Sequence, residues 1–331
     1  VVVSQTLAIV AASFVAECSS RACFTQPKSN FPGFSWLQQL LDNGFLVGWE
    51  SLVSSKGKEL TMLQDIKVGL DVISKYFKIV IERRKGVEPR ASCQGVAIAE
   101  RTITVFLNGN ELPSEFNGLD KIGPIAIVPI LFTQGINEIQ TIANVVSRVG
   151  KSTGSALQNN INNDGLKSIK RYWESLVMKL LTLPSCSDIS STWVQNMNTS
   201  ILKLEEAVSK MQSHNKDVDI LICAADVVRS LRGSRITFCK SGKDRTAMSI
   251  TLEQSRVLHG AKEDIPNGTD TLLKTANLFR EYGSRLVIAE KNVGRPLYSF
   301  NGIQLQFLPK EYRPPPSTIQ DVLLSIKARD S

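Results

Sequence analysis

The stretch "SRITFCKSGKDRTAMSITLEQSRVL", residues 234–258, constrains this chain more than any other. "SRITF" (234–238) is β-prone, and "AMSITLEQSRVL" (247–258) carries a helical pattern that stops at Gly260. Between them lies a polar loop. Upstream, Leu221, Ala224, Val228 and Leu231 repeat with helical spacing, and Gly233 stands where a helix C-cap belongs. The local order is therefore helix, strand, loop, helix. That order predicts an α/β fold with the loop seated between a strand and a helix.

The rest of the chain agrees with a helix-rich α/β domain built around a central sheet. Leu63, Ile66, Leu70, Ile73, Phe77 and Val80 step by three and four and predict an amphipathic helix ended by Arg83-Arg84-Lys85. "RTITVFLNGN" (101–110) reads as a strand and turn, and "PIAIVPILF" (124–132) as a buried strand. Helices are expected from Asn160 to Leu181 and around Ile201, Leu204, Val208 and Met211. "RPPP" (313–316) is expected to end the compact part. No repeat or linker interrupts the chain, so residues 1–331 read as one domain. The opening "VVVSQTLAIVAASFVAE" is apolar for about one membrane-helix length. Ser4, Gln5, Thr6 and Ser13 interrupt it and no basic flank precedes it, which favours a buried helix over a span or signal peptide. The chain starts without Met and reads as a piece excised from a longer protein.

Charge narrows the function. Lys and Arg number 39 against 31 Asp and Glu, a net +8, which predicts an anionic partner. Residues 229–245 hold Arg229, Arg232, Arg235, Lys240, Lys243 and Arg245 against Asp244 alone. The cations cluster in one region rather than along a face with interleaved aromatics, which argues against nucleic acid. Six cysteines (18, 23, 93, 186, 223, 239) are scattered without a Cys-x-x-Cys pair, and His214 and His259 are the only histidines. This argues against a zinc site or a disulfide scaffold and for reduced thiols in the cytoplasm. His259, near its helix end, is expected at the surface.

The loop itself suits phosphate. Cys239 and Arg245 are separated by five residues with Gly242 between them. Consecutive backbone N–H groups in such a turn form an anion-binding nest, and the next helix, expected to begin near Thr246, adds its positive dipole end. Arg245 supplies a planar fork for two phosphate oxygens. Gly242 lets the backbone approach closely. The same field favours the Cys239 thiolate, a nucleophile able to form a phosphocysteine. A Walker loop is excluded here because Asp244 follows Gly242-Lys243. At Gly150-Lys151-Ser152 it fails because Val145 stands where the first Gly is required.

At "CKSGKDRT" the chain resembles the catalytic domain of the inositol polyphosphate 4-phosphatases. "MSITLEQ" (248–254), "GFLVGWESLVS" (44–54), "MLQDIKVGL" (62–70), "LFTQGINEIQTIA" (131–143) and "YSFNGIQLQFLPKEYRPP" (298–315) extend the likeness across nearly the whole chain. The resemblance implies a phosphatase domain without the family's amino-terminal C2 region. It further implies metal-free removal of the 4-phosphate from phosphatidylinositol 3,4-bisphosphate, with no cofactor. Cys239 maps to the nucleophile and Arg245 to the phosphate-binding Arg. Lys240 and Lys243 match the paired loop lysines of phosphoinositide phosphatases, and Ser241 and Gly242 complete the substrate-binding loop. No Trp-Pro-Asp acid loop exists, so Asp244 is the candidate proton donor, as in myotubularin-like phosphatases. Its alternative role is a counter-charge that braces the loop lysines. Thr246 is placed to hold the thiolate or the attacking water, or to act as a helix N-cap.

From the residues alone, the 3-, 4- and 5-phosphates are indistinguishable; the choice of 4 rests on the resemblance. A non-catalytic inositol-phosphate-binding module and a phosphoprotein phosphatase are the other readings. The expected partners are a phosphoinositide or soluble inositol phosphate and an anionic membrane surface, with no nucleic acid. The expected location is cytoplasmic, peripheral to endosomal or plasma membrane, with Arg83, Arg84 and Lys85 as candidate lipid-attracting cations.

Overall fold

The computed structural model of the chain describes residues 1–23, 35–83, 95–107, 113–137, 153–182, 191–211, 218–261 and 268–320. Among these residues six strands form one mixed sheet: β1 Phe45–Ser51, β2 Lys78–Arg83, β3 Gly95–Ala99, β4 Thr102–Leu107, β5 Lys121–Thr133 and β6 Ser234–Phe238, in the order β3-β4-β2-β5-β1-β6. β1 runs parallel to both β5 and β6. β2 is parallel to β4 and antiparallel to β5, and β3 is antiparallel to β4.

Every residue of β1 is buried, as a strand covered on both faces requires. Its alternation divides the core in two. Phe45, Val47 and Trp49 join the cluster beneath α1 (Val2–Cys23), α2 (Trp36–Asn43) and α3 (Lys58–Tyr76). Leu46 joins the cluster formed with α4 (Thr153–Leu181), α5 (Ser191–Met211), α6 (Asp219–Ser230) and α7 (Asp244–Ala261). Ile127 and Leu131 of β5 face the first cluster, Ile130 and Phe132 the second. The result is a sheet with helices on both sides. Three more helices follow: α8 Thr269–Tyr282, α9 Ser284–Val293 and α10 Gly302–Phe307.

Register decides where chemistry can sit. Ser51 pairs with Thr133 on one side and with Phe238 on the other, so β1, β5 and β6 leave the sheet at the same level. Leu52, Gln134 and Cys239 therefore emerge together at the carboxyl ends of three parallel strands, where open α/β sheets place their ligand crevices. Leu52 N–H donates to Phe238 O (3.0 Å) and Gln134 N–H to Ser51 O (2.9 Å), which ties the three exits.

Several expectations from sequence hold and others need correction. The helix-rich α/β class with a central sheet holds, as do the strands at 102–107 and 121–133 and the helix, strand, helix order at 219–261. The first segment is a helix long and apolar enough to cross a membrane, and here it buries Leu7, Val10, Ala11, Phe14 and Val15 in the core. The 63–80 helix ends at Tyr76, because Phe77 is extended and Lys78–Arg83 is strand β2. Ile79 and Ile81 are buried by the sheet, and Val80 keeps helical spacing only by coincidence. Arg83 accordingly ends a strand, while Arg84 and Lys85 lie outside the described residues. The left-handed residue after α6 is Arg232 (φ 56°), not Gly233. Gly233 is needed for space, since a Cβ there would lie 2.8 Å from the Leu46 side chain. Packing also continues past "RPPP": Gln320 N–H donates to Phe300 O, and Tyr298 pairs with Ile319. Cys93, Cys186, His214 and Gly150-Lys151-Ser152 fall outside the described residues.

Gly48 leaves no room for a side chain between β1 and α6, since an added Cβ would lie only 2.8 Å from Val228 Cγ2. We predict that G48A lowers the melting temperature through a loss of about 1–3 kcal/mol, and that V228A on top of it recovers part of the loss. Additive losses in the double variant would contradict this packing.

Candidate functional site

Residues 239–243 join β6 to α7, which begins at Asp244. Cys239 is buried as the strand ends, while Lys240, Ser241 and Gly242 are exposed and Lys243 is half-buried. Gly242 has φ +69°, and nothing lies within 4 Å of where its Cβ would stand. Conformation rather than crowding is what requires glycine there. Thr246, buried in the first turn of α7, turns its hydroxyl back on the loop and donates to Cys239 Sγ at 3.2 Å. Because the helix starts two residues earlier than expected, Thr246 is not an N-cap. Lys243 O accepts from Ala247 N–H instead (2.8 Å).

Burial pushes the Cys18 thiol up to about 12, and burial with the nearby Asp219 and Asp226 pushes Cys223 up as well. Neither is a nucleophile near neutral pH. Cys18, Cys23, Cys223 and Cys239 are all free thiols.

Arg245 is locked in place by a carboxylate from another element. Its Nη2 donates to Glu59 Oε1 (2.5 Å), and its Nη1 to Glu59 Oε2 (2.9 Å) and to Leu52 O (2.9 Å). Glu59 sits in the first turn of α3 and also accepts from the Ser54 amide (2.7 Å) and hydroxyl (3.0 Å). Both partners are nearly removed from solvent, with 11% and 7% of their side chains exposed. Burial pushes the Glu59 carboxyl up. The Arg245 bonds and charge, with the two Ser54 donors, outweigh that and hold it below the usual range.

Asp244 accepts from Ser299 N–H at 3.0 Å, which brings the segment before α10 onto the loop. Arg285, in the first turn of α9, donates from Nη2 to Gly242 O at 2.8 Å. The geometry thus gathers Cys239, Asp244, Arg245 and Thr246 around one turn of backbone, beside the positive end of an 18-residue helix.

The basic run that attracts notice in the sequence is mostly neutralised from within. Arg235 forms a two-pronged pair with Glu50 and adds Ser249 Oγ (2.9 Å). Arg229 pairs with Asp226 and Glu253, and Arg232 donates to Gln39 Oε1 (3.0 Å). These arginines hold β6, β1, α2, α6 and α7 together. His259 is buried, not at the surface, with Nε2 and Thr275 Oγ1 3.0 Å apart. Among the described residues no group of three His, Cys, Asp or Glu could hold a metal ion.

Sequence reading did not find Glu59, Ser54, Ser299 or Arg285. A charged residue following the turn "SSKG" was visible for Glu59, but nothing local marks it as buried.

Residues 1–312 match the family model described as INPP4A C-terminal domain. The chain is 32% identical, over 96% of its length and 32% of the relative's, to inositol polyphosphate 4-phosphatase type II of Homo sapiens. It is 33% identical, over 87% of its length and 29% of the relative's, to type II inositol 3,4-bisphosphate 4-phosphatase of Rattus norvegicus. It is 24% identical, over 78% of its length and 16% of the relative's, to phosphatidylinositol 3,4,5-trisphosphate-dependent Rac exchanger 1 protein of Mus musculus. The chain spans about a third of the length of the phosphatases it matches.

Glu59 yields a pH prediction. Its folded-state pKa is depressed, so its contribution to stability is present above the ordinary carboxylate value of about 4.3 and is lost as pH falls through the folded value. E59Q should cost about 3 kcal/mol at pH 7, because it leaves Arg245 without a buried counter-charge. The gap between the two proteins, followed by denaturant unfolding, should narrow below about pH 4. A gap that stays constant into acid would mean the pair does not stabilise the fold.

Proposed function

The chain belongs to the INPP4A C-terminal domain family, and from that premise we propose that it is a phosphoinositide phosphatase working through a phosphocysteine. The carrying observation is the Thr246 hydroxyl donating to the buried Cys239 Sγ at 3.2 Å, one residue after an Arg fixed by Glu59. A donor aimed at sulfur stabilises a thiolate, and N–H groups of the turn with the α7 dipole favour the anion. Arg245, Lys240, Ser241, Gly242 and Lys243 supply the substrate-facing loop.

On this reading the Cys239 thiolate attacks phosphorus and the bond from phosphorus to the inositol oxygen breaks. Asp244 gives the departing oxygen its proton. Water then attacks the phosphocysteine and passes a proton to Asp244. Inorganic phosphate leaves, and the thiolate and the acid are restored. Neither step calls on a metal ion. The names of the phosphatase relatives support the 4-phosphate of a 3,4-bisphosphate as the group removed. A lipid-borne substrate favours a cytoplasmic protein that works at the surface of endosomal or plasma membrane.

A second reading, a domain that holds an inositol phosphate without turning it over, draws on the match to an exchanger whose name is not a phosphatase's.

Phosphate release from phosphatidylinositol 3,4-bisphosphate separates the two readings. The chain should release phosphate in excess EDTA, C239S should release none, and T246A should be slower by about ten- to a hundredfold through loss of a hydrogen bond to a charged sulfur. Full activity of C239S removes the mechanism. An inert parent chain that still binds the ligand supports the second reading.

A further inference from the structure

Resting on the phosphatase reading, we propose that Arg285 binds a second phosphate of the substrate, the one adjacent on the inositol ring to the phosphate over Cys239. The arginines near the turn meet different partners. Arg229, Arg235, Arg245 and Arg256 each meet a carboxylate. Arg280 is enclosed by the hydroxyl of Thr251, the side-chain oxygen of Asn277 and the carbonyls of Met248, Glu311 and Arg313. Arg285, like Arg83, has neither arrangement, and of these two Arg285 is the one bonded to the turn. Among the described residues its guanidinium makes one hydrogen bond, to Gly242 O, and no ion pair. Its Nε is removed from solvent and has no partner.

A half-buried cation with an unanswered donor is costly unless an anion completes it. Its position says which anion. The contact to Gly242 O places the guanidinium against the 239–243 turn, on an element separate from that turn. An inositol 3,4-bisphosphate set with one phosphate over Cys239 carries its second phosphate on the neighbouring ring carbon. A planar fork can grip two oxygens of that group while the Gly242 contact holds its orientation. Arg285 is therefore a specificity residue: it favours a ring with neighbouring phosphates over a ring with one.

The test uses C239S, which retains the pocket without turnover, and measures calorimetric affinity for inositol 3,4-bisphosphate and for inositol 4-phosphate. Adding R285Q should weaken the bisphosphate about ten- to a hundredfold and the monophosphate by no more than about threefold. R285K, which keeps the charge but not the fork, should fall between. Thermal melting of each variant shows that it is folded. Equal losses for both ligands would make Arg285 a loop brace and overturn the subsite, as would no loss for either. If C239S binds neither ligand, the phosphatase reading of the turn fails and takes the subsite with it.

Discussion

The ion pair between Arg245 and Glu59 is the contact on which the site's shape depends. It joins the second residue of α7 to the first turn of α3, and through Leu52 O to the exit of β1. Two charges this far from water persist only when each answers the other and further donors complete the carboxylate, as the Ser54 amide and hydroxyl do here. The pair fixes the plane of the guanidinium before any ligand arrives. In the proposed role of Arg245 as the phosphate-binding group, a guanidinium held this way loses little freedom on binding, which is the condition for strong electrostatic work on a phosphate.

A second pair, Arg235 with Glu50, lies one layer deeper, where it clamps β6 to β1 and reaches Ser249 of α7. Together the two pairs set the strand, the turn and the helix that carry Cys239, Asp244 and Thr246. Packing supplies the rest. β1 is buried along its length, α6 meets it at Gly48, and the register of three parallel strands brings their ends to one level. The cations around the site are thus of two kinds. Some are structural and balanced by Glu50, Glu59, Asp226 and Glu253, and others, Lys240 and Arg285, border the turn without a carboxylate partner among the described residues.

Much of this was legible in the sequence where the signal was contiguous. The strand at 234–238, the turn with its Gly242 and the helix after it are written in one unbroken string, so order and spacing were enough. What tertiary contact assembles was not legible. Glu59 lies far from Arg245 in the chain, and an acidic residue after a Ser-Gly turn reads as an exposed helix start. Arg285 and Ser299 reach the loop only because α9 and the segment before α10 fold back on it. Val80 kept helical spacing beyond a helix that had already ended, since a run of β-branched residues pairs into a sheet once a partner strand is present. The run of arginines read as a patch for a partner, although most of its charge is met inside the protein. Periodicity reports which residues are apolar; it does not report which charges meet.

The central claim is that sulfur carries the phosphoryl group. Rapid acid quench during turnover of phosphatidylinositol 3,4-bisphosphate, followed by peptide mass analysis, tests it directly. The account predicts the mass of one phosphoryl group on the peptide containing Cys239, absent from C239S and from the other cysteine peptides. Turnover with no covalent adduct at Cys239 at any quench time, or an adduct on a different residue, would contradict it.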